Sequence, residues 1–446
     1  MTWLRAEAAQ EKASLFDRAL TALHGDRGAR LWWVPGRIEF LGKHTDYAGG
    51  RSLVCATERG FAVVAVPRAG TGVRVRDASS GEYVDVEMSA DLEVPRDHWS
   101  NYPLTVCRRI ARNFPGTLHG VDLAFASDLP PAAGLSSSSA LVVATFLALA
   151  DANDLPARAE YADAIRSIED LANYLGAIEN GSTFRSLEGD RGVGTLGGSQ
   201  DHTAILCARP GTLVQYSFVP VRYEREVPLP HDHVLVVAAS GVVAAKGGNA
   251  RDLYNRASAT ATAALHAWRA ATGSTAATLT DALADSPDMT ERFRVAVAGR
   301  RDLPFALDAL VARVEHLRNE LAVVHDAGDA LIHGDLDRLG MLVDRSQANA
   351  ERLLGNQIPE TIALARRARE LGAIAASAFG AGFGGSVYAL VRASDAESFR
   401  VRWRERYLAS FPGRAEQATF FMTHAGPPST LLRVAPNQSG TSSLTC

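Results

Sequence analysis

The stretch Pro130-Pro131-Ala132-Ala133-Gly134-Leu135-Ser136-Ser137-Ser138-Ser139-Ala140 runs straight into Leu141-Val142-Val143-Ala144-Thr145-Phe146-Leu147-Ala148-Leu149, and it constrains this chain more than any other feature. It predicts a small-residue loop that opens a buried helix. The first N–H groups of a helix have no partner inside it, so they point at whatever lies in front of the loop. Small side chains let a polyanion approach, and hydroxyls add hydrogen bonds or complete a metal shell. The expected guest is a phosphate. A plain serine linker before a core helix would look similar, and with no Gly-Lys-Ser/Thr following, this is not a Walker A loop.

A chain of 446 residues is too long for one ordinary core, so two domains are expected. Its apolar runs are interrupted well short of membrane-spanning length, and a net charge of −4 gives no global attraction to nucleic acid or anionic lipid. The start of the chain lacks the pattern of a secretory signal. Cys55, Cys107, Cys207 and Cys446 are scattered without metal-ligand spacing, so a cytoplasmic setting is expected. Of 46 basic residues only Lys12, Lys43 and Lys246 are lysine, and two of the three fall in or near the motifs described below.

Periodicity predicts a helix over 6–24, a strand over 31–34, a polar loop over 35–51, and strands over 53–56, 61–66 and 72–76. Helices follow over 103–113, 138–152 and 163–179. The Gly- and Ser-rich segment 181–200 reads as a long loop. Strands are expected over 203–208, 213–218 and 234–239, Ala-rich helices over 252–271 and 307–342, and a strand over 386–391. Residues 435–446 have no pattern and read as a frayed, disordered tail. The sum is an α+β first domain and a helix-rich α+β second domain.

Two further segments narrow the reading. Pro35-Gly36-Arg37-Ile38-Glu39-Phe40-Leu41-Gly42-Lys43-His44-Thr45-Asp46-Tyr47 packs a cation, an imidazole and a carboxylate between apolar strands, and Gly380-Ala381-Gly382-Phe383-Gly384-Gly385-Ser386 is a glycine loop leading into a strand. With the serine loop, in this order and at these distances, they resemble the three motifs of the GHMP kinase superfamily. The first resembles the galactokinase signature Gly-Arg-x-Asn-x-x-Gly-Glu-His-x-Asp-Tyr. Trp99-Ser100-Asn101-Tyr102, Gly198-Ser199-Gln200-Asp201-His202, Tyr254-Asn255-Arg256 and the segment 340–346 also have galactokinase counterparts in the same order. The resemblance covers most of the chain.

It implies a two-domain GHMP kinase fold. Residues 1–225 would form a mixed-sheet domain of the ribosomal S5 domain 2-like type and 226–434 the second domain, with the active site in the cleft between. The implied reaction is phosphorylation of the anomeric hydroxyl of galactose or a related sugar by ATP with Mg²⁺. The implied partners are the sugar and ATP; no nucleic acid, membrane or obligate protein partner is expected. By resemblance Asp201 is the catalytic aspartate, on a turn before an apolar strand, and Arg37 the arginine that holds it ionised. Gly134, Leu135, Ser136, Ser137, Ser138 and Ser139 would embrace the ATP phosphates, with Trp99, Gly382 and Gly384 completing the nucleotide site. Mg²⁺ would be held by Ser138, with Ser137 the competitor, and by Glu179, with Glu169 and Glu188 as rivals. The stretch between Glu179 and Asp201 is longer than usual in the family and could form a lid. Lys43, His44, Asp46, Gly198 and Tyr254 would meet the sugar.

The pattern breaks at two positions. Lys43 stands where the signature has Glu, and Glu39 where it has Asn. An ammonium only donates hydrogen bonds, whereas a carboxylate accepts them. Lys43 would therefore suit a carboxylate on the sugar, as in a galacturonate or other uronic-acid 1-kinase, and Lys246 could add charge to the same wall. Alternatively Lys43 pairs with Glu39 and touches no substrate. Two other readings are a non-catalytic, galactokinase-like sugar sensor and a phosphomevalonate- or homoserine-type kinase; the intact Ser138, Asp201 and Arg37 speak against the first, the Gly-Lys-His-Thr-Asp-Tyr segment against the second.

Overall fold

The computed structural model describes residues 6–23, 28–131, 133–242, 249–283, 288–435 and 443–445. Its first helix, α1 (Ala6–Ala22), leads into β1 (Arg30–Leu41), and β1 already contains Arg37 and Glu39. The expected polar loop over 35–51 therefore shrinks to 42–50. Pro35 and Gly36 mask the strand in the sequence, yet β1 pairs with β2 (Arg51–Pro67) on both sides of them, with register shifts between Pro35 and Arg37 and between Glu39 and Leu41. Bulges of this kind re-aim side chains near functional sites. β2 also fuses the two strands expected over 53–66 into one.

The first lobe continues with β3 (Gly72–Asp77), β4 (Tyr83–Glu87), α2 (Asn101–Asn113), β5 (Val121–Ser127) and α3 (Ser137–Ala152). α4 (Ala159–Ala164) and α5 (Ile168–Asn180) replace one expected helix. The break comes where Ser167 caps α5, its hydroxyl accepting from Asp170 N. α6 (Gln200–Leu206) stands where a strand was expected, because Thr203, Ile205 and Leu206 imitate a short strand run. β6 (Thr212–Ser217) and β7 (Arg222–Pro228) close the lobe's forward path. The sheet is mixed: β3 and β5 are parallel, and the other pairs are antiparallel. Its core packs α3, almost wholly apolar and buried, against β1 and β2, while Leu15, Phe16 and Ala19 of α1 cover the opposite face with Trp33 and Val64.

The second lobe begins with β8 (His233–Ala239), then α7 (Asn249–Thr272), α8 (Leu279–Leu283), α9 (Met289–Val297), α10 (Leu307–Ile332), α11 (Leu336–Asn349) and α12 (Pro359–Glu370). The expected helix over 307–342 splits at Gly334, which adopts φ 71°. β9 (Ala375–Phe379), β10 (Ser386–Arg392), α13 (Ala396–Ser410) and β11 (Thr419–Thr423) follow. The second sheet runs β11-β8-β10-β9, with Trp403, Tyr407 and Leu364 of α12 and α13 packed on one face.

The chain then returns. β12 (Thr430–Ala435) pairs antiparallel with Leu31–Trp33 of β1, and β13 (Ser443–Thr445) pairs with β12. The first sheet thus reaches past residue 225, to Pro228, and regains a strand after 429. Two parts of the expected frayed tail are strand, Ala435 at the end of β12 and 443–445; 436–442 and 446 lie outside the described residues. No helix among the described residues is long and apolar enough to cross a membrane.

Candidate active site

A cleft of about 650 Å³ opens between the lobes, lined from the first by Arg37, Glu39, Asp46 and Asp201 and from the second by Tyr254 and Ala381. The first turn of α3 forms one end of it. Ser136 precedes that helix in a left-handed conformation (φ 61°) and makes no side-chain cap, and Ser136 to Ser139 all line the cleft. Non-glycine residues are seldom held at positive φ, and such positions concentrate at functional sites. Gly134 joins this wall. Leu135 instead sends its side chain into the core and offers its carbonyl to Arg37 N at 3.2 Å.

Arg37 and Asp201 form the centre. Arg37 Nε donates to Asp201 Oδ1 at 2.7 Å, and Nη1 donates to the Gly134 carbonyl at 2.6 Å. Burial works against the guanidinium's charge, but Asp201 outweighs it and raises the pKa above its usual value. Ser136 Oγ donates to the other oxygen of Asp201. Asp201 lies in the first turn of α6, not on a turn before a strand, and its side chain keeps 20% exposure toward the cleft.

Glu179, at the end of α5, also lines the cleft. Its rivals do not: Glu169 is in the first turn of α5, and Glu188 is exposed on the following loop. The hydroxyl that meets it belongs to Ser139, which donates to Oε2 at 2.8 Å, and not to Ser138. Helical rotation explains the difference, since Ser139 is fully buried toward α5 while Ser137 and Ser138 face outward. The loop between Glu179 and Asp201 is no free lid. Asp190 is buried between Arg108 (2.6 Å) and Arg109 (3.4 Å) of α2, and Asn101 holds the Val193 carbonyl at 3.0 Å.

At the other end, Asp46 Oδ2 accepts from Gln200 N at 3.2 Å, and burial raises its pKa. Gly198 is held against it: an added Cβ would lie 2.4 Å from Asp46 Oδ2. Tyr254 lines the cleft beside His44, their rings 5.2 Å apart. His44 also lines it, but both ring nitrogens are engaged, Nδ1 with Tyr47 Oη (2.8 Å) and Nε2 with the Ala381 carbonyl (3.0 Å). Nε2 therefore carries the hydrogen, and Tyr47 donates to Nδ1. Burial, then the charge of Arg313, lowers the His44 pKa to about 4, so the ring is neutral.

Lys43 is the main correction. Its side chain is fully buried and turned away from the cleft, where Nζ donates to Ser346 Oγ (3.0 Å) and Ser377 Oγ (2.8 Å). Ser346 in turn donates to Glu320 Oε1 at 2.8 Å, and the same oxygen accepts from the backbone of Gly42 and Lys43. The backbone turns on both sides of Lys43, at Gly42 (φ 100°) and His44 (φ 56°), which sends the adjacent side chains apart. Lys43 is bonded to hydroxyls of the second lobe and not to Glu39. Lys246 lies outside the described residues.

Trp99 and Tyr102 line the cleft on the side of Ser79 and Arg96, with Trp99 Nε1 donating to Glu82 at 2.9 Å. Gly382 and Gly384 do not line it; Gly380 and Ala381 do, and Gly382 packs on Asn356. The sequence reading missed Ala381 and Arg313. The first contributes only a carbonyl, and the second lies far along the chain on α10, so neither leaves a local signal.

Comparison with known proteins gives three family matches: GHMP kinases N terminal domain over residues 101–181, GHMP kinases C terminal over 329–409, and the galactokinase galactose-binding signature over 20–67. A galactokinase of Roseiflexus sp. (strain RS-1) is 30% identical over 378 residues, 84% of this chain and 86% of that protein. A galactokinase of Chloroflexus aurantiacus is 29% identical, covering 84% and 87%. Among solved structures, Lactococcus lactis galactokinase complexed with galactose superposes with a TM-score of 0.76 at 22% identity, over 94% of this chain and 99% of that one, a likeness of fold.

Proposed function

The chain belongs to the galactokinase family, and from that premise we propose that it transfers the γ-phosphoryl group of ATP to the anomeric hydroxyl of galactose or a closely related sugar. It is a galactokinase-like sugar kinase, a phosphotransferase with ATP as co-substrate. The observation that carries the finer reading is the Arg37–Asp201 pair, set beside the N-terminus of α3 and linked to it through Ser136, which bonds Asp201.

In this reading the ATP phosphates lie at the first turn of α3, where backbone N–H groups and the serine hydroxyls meet them. Asp46, with Gly198 drawn close to it, holds sugar hydroxyls, and Tyr254 closes the wall. Asp201 accepts the proton of the anomeric hydroxyl as that oxygen attacks the γ-phosphorus. Arg37 keeps Asp201 ionised and opposes the charge that spreads over the phosphoryl oxygens. His44 serves as a tie between the sugar loop and the Ala381 loop, because both of its nitrogens are committed.

Mg²⁺ is part of the proposal. A buried carboxylate facing first-turn hydroxyls at the phosphate end is a set of hard oxygen donors that suits this ion. Glu179, Ser138 and Ser139 would hold it, and when bound it neutralises charge on the phosphate oxygens. The uronic-acid reading loses the cation it rested on, since Lys43 faces away from the cleft.

Incubation with ATP, Mg²⁺ and galactose, followed by ³¹P NMR, tests the reading. The expected product is a sugar 1-phosphate, formed with stoichiometric ADP. Phosphate on another carbon, or ADP release that ignores the sugar, would overturn it. Asp201→Asn is expected to lower kcat by roughly 10²–10⁴-fold with little change in KM for ATP.

A further inference from the structure

Glu39 is a buried carboxyl in the wall of the cleft that the mechanism above does not use. It shares its face of β1 with Arg37, two residues away, while Ile38 and Phe40 between and beyond them pack into the core. One oxygen is committed: Oε2 accepts from Gln200 Nε2 at 2.7 Å. In this arrangement Gln200 Oε1 accepts from Ser52 Oγ at 3.0 Å and the amide hydrogens face Glu39. The other oxygen, Oε1, is buried with no hydrogen-bond partner among the described residues. A buried, unsatisfied carboxyl oxygen is costly, and where one lines a cleft a ligand can supply the missing partner.

The charge around it is lopsided. Asp46 and Asp201 line the same end of the cleft as Glu39, and the cation beside them, Arg37, is already committed to Asp201. Lys43 acts on Glu39 only through space, its ammonium being spent on Ser346 and Ser377. Among the described residues at this end of the cleft, no uncommitted cation would meet a sugar carboxylate. A hydroxyl or an ammonium brings hydrogens that this wall can accept.

We propose that Glu39 is a specificity residue of the acceptor pocket, its Oε1 hydrogen-bonding a polar group of the sugar, and that the pocket selects neutral or amine-bearing sugars against sugar carboxylates. The proposal rests on the sugar-kinase reading given above. Both features of the signature that depart here have separate consequences: Lys43 supports the loop from behind, and Glu39 reads the substrate in front.

The test measures kcat/KM for galactose, galactosamine and galacturonate at pH 9, above the value of about 8 to which burial raises the Glu39 carboxyl, in the intact protein and in Glu39→Gln. In the variant the amide oxygen takes the Gln200 bond and the NH₂ group occupies the place of Oε1, so an acceptor becomes a donor. The expected result is a rise in KM for galactose of roughly 10–100-fold, an unchanged KM for ATP, a loss of galactosamine relative to galactose, and a gain of galacturonate. Ratios among the three sugars that stay within twofold would overturn the proposal while leaving the kinase reading intact. Should Glu39→Gln not fold, Glu39→Asn and the unmodified protein's own ranking decide: galacturonate at least 100-fold below galactose supports the proposal, and galacturonate preferred overturns it. No phosphorylation of any sugar, with no sugar binding by calorimetry, removes both readings together.

Discussion

At the scale of single residues, the sugar loop is held from behind by groups that never meet the cleft. Lys43 donates to Ser346 and Ser377, so replacing it leaves two buried hydroxyls short of a donor, while Glu320 keeps its bonds from Ser346 and the backbone. Lys43→Met is therefore expected to cost about 2–3 kcal/mol of stability while the ranking of acceptor sugars stays the same; urea unfolding and the sugar panel check the two halves. His44 gives a pH prediction. Its folded pKa near 4 lies below the usual 6.5, so the unfolded chain binds the extra proton first, and stability falls as pH drops from about 6.5 toward 4. The drop attributable to this ring is about 3 kcal/mol. His44→Asn, which tolerates the positive φ, should flatten the acid limb of melting temperature against pH and lose the Ala381 tie. An acid limb that the substitution leaves unchanged would contradict this account.

Among elements, the loop between α5 and α6 carries the clearest expectation. Asp190 is buried against two arginines of α2, so Asp190→Ala strands two charges and should destabilise by about 3–5 kcal/mol. Hydrogen exchange should then rise first over 181–197, and uniform protection there would count against the pinning. The elements also show what was legible in the sequence. The serine loop and α3 read correctly because a nearly all-apolar helix behind four serines has few alternatives. β1 did not, since Pro35, Gly36 and the bulge at Glu39–Leu41 break the alternation that marks a strand. α6 was lost to a short β-branched run, and Asp201 could nonetheless be expected in the cleft, where it lies, because its neighbours, not its element, carried the resemblance. The direction of Lys43 could not be read from sequence: it depends on Ser346 and Ser377, roughly 300 residues away.

For the whole molecule, the two lobes are joined by more than the covalent crossover at 228–233. Arg313 of α10 reaches the His44 carbonyl, Tyr388 of β10 donates to the Phe40 carbonyl at 2.7 Å, and His44 reaches Ala381. These ties cross the cleft's floor, so the lobes are expected to unfold as one unit; calorimetry should give a single transition. The return of β12 is part of the same closure. Ending the chain after Ser429 removes the burial of Leu432, worth about 2 kcal/mol, and bares the edge of β1 at Leu31–Trp33. Such an edge invites pairing with other chains, so the truncated protein should aggregate on size-exclusion chromatography where the full chain does not.

That returning strand also sets a timetable for synthesis. β1 leaves the ribosome roughly 390 residues ahead of the partner that covers its edge, and at about 5–20 residues per second the wait is on the order of 20–80 s. Through that interval the first lobe is nascent with one side unsealed, and a holding chaperone would have its natural purchase there. A chain stopped before β12 would have both catalytic lobes translated and the seal missing, which makes that strand a checkpoint on whether the enzyme survives its own birth.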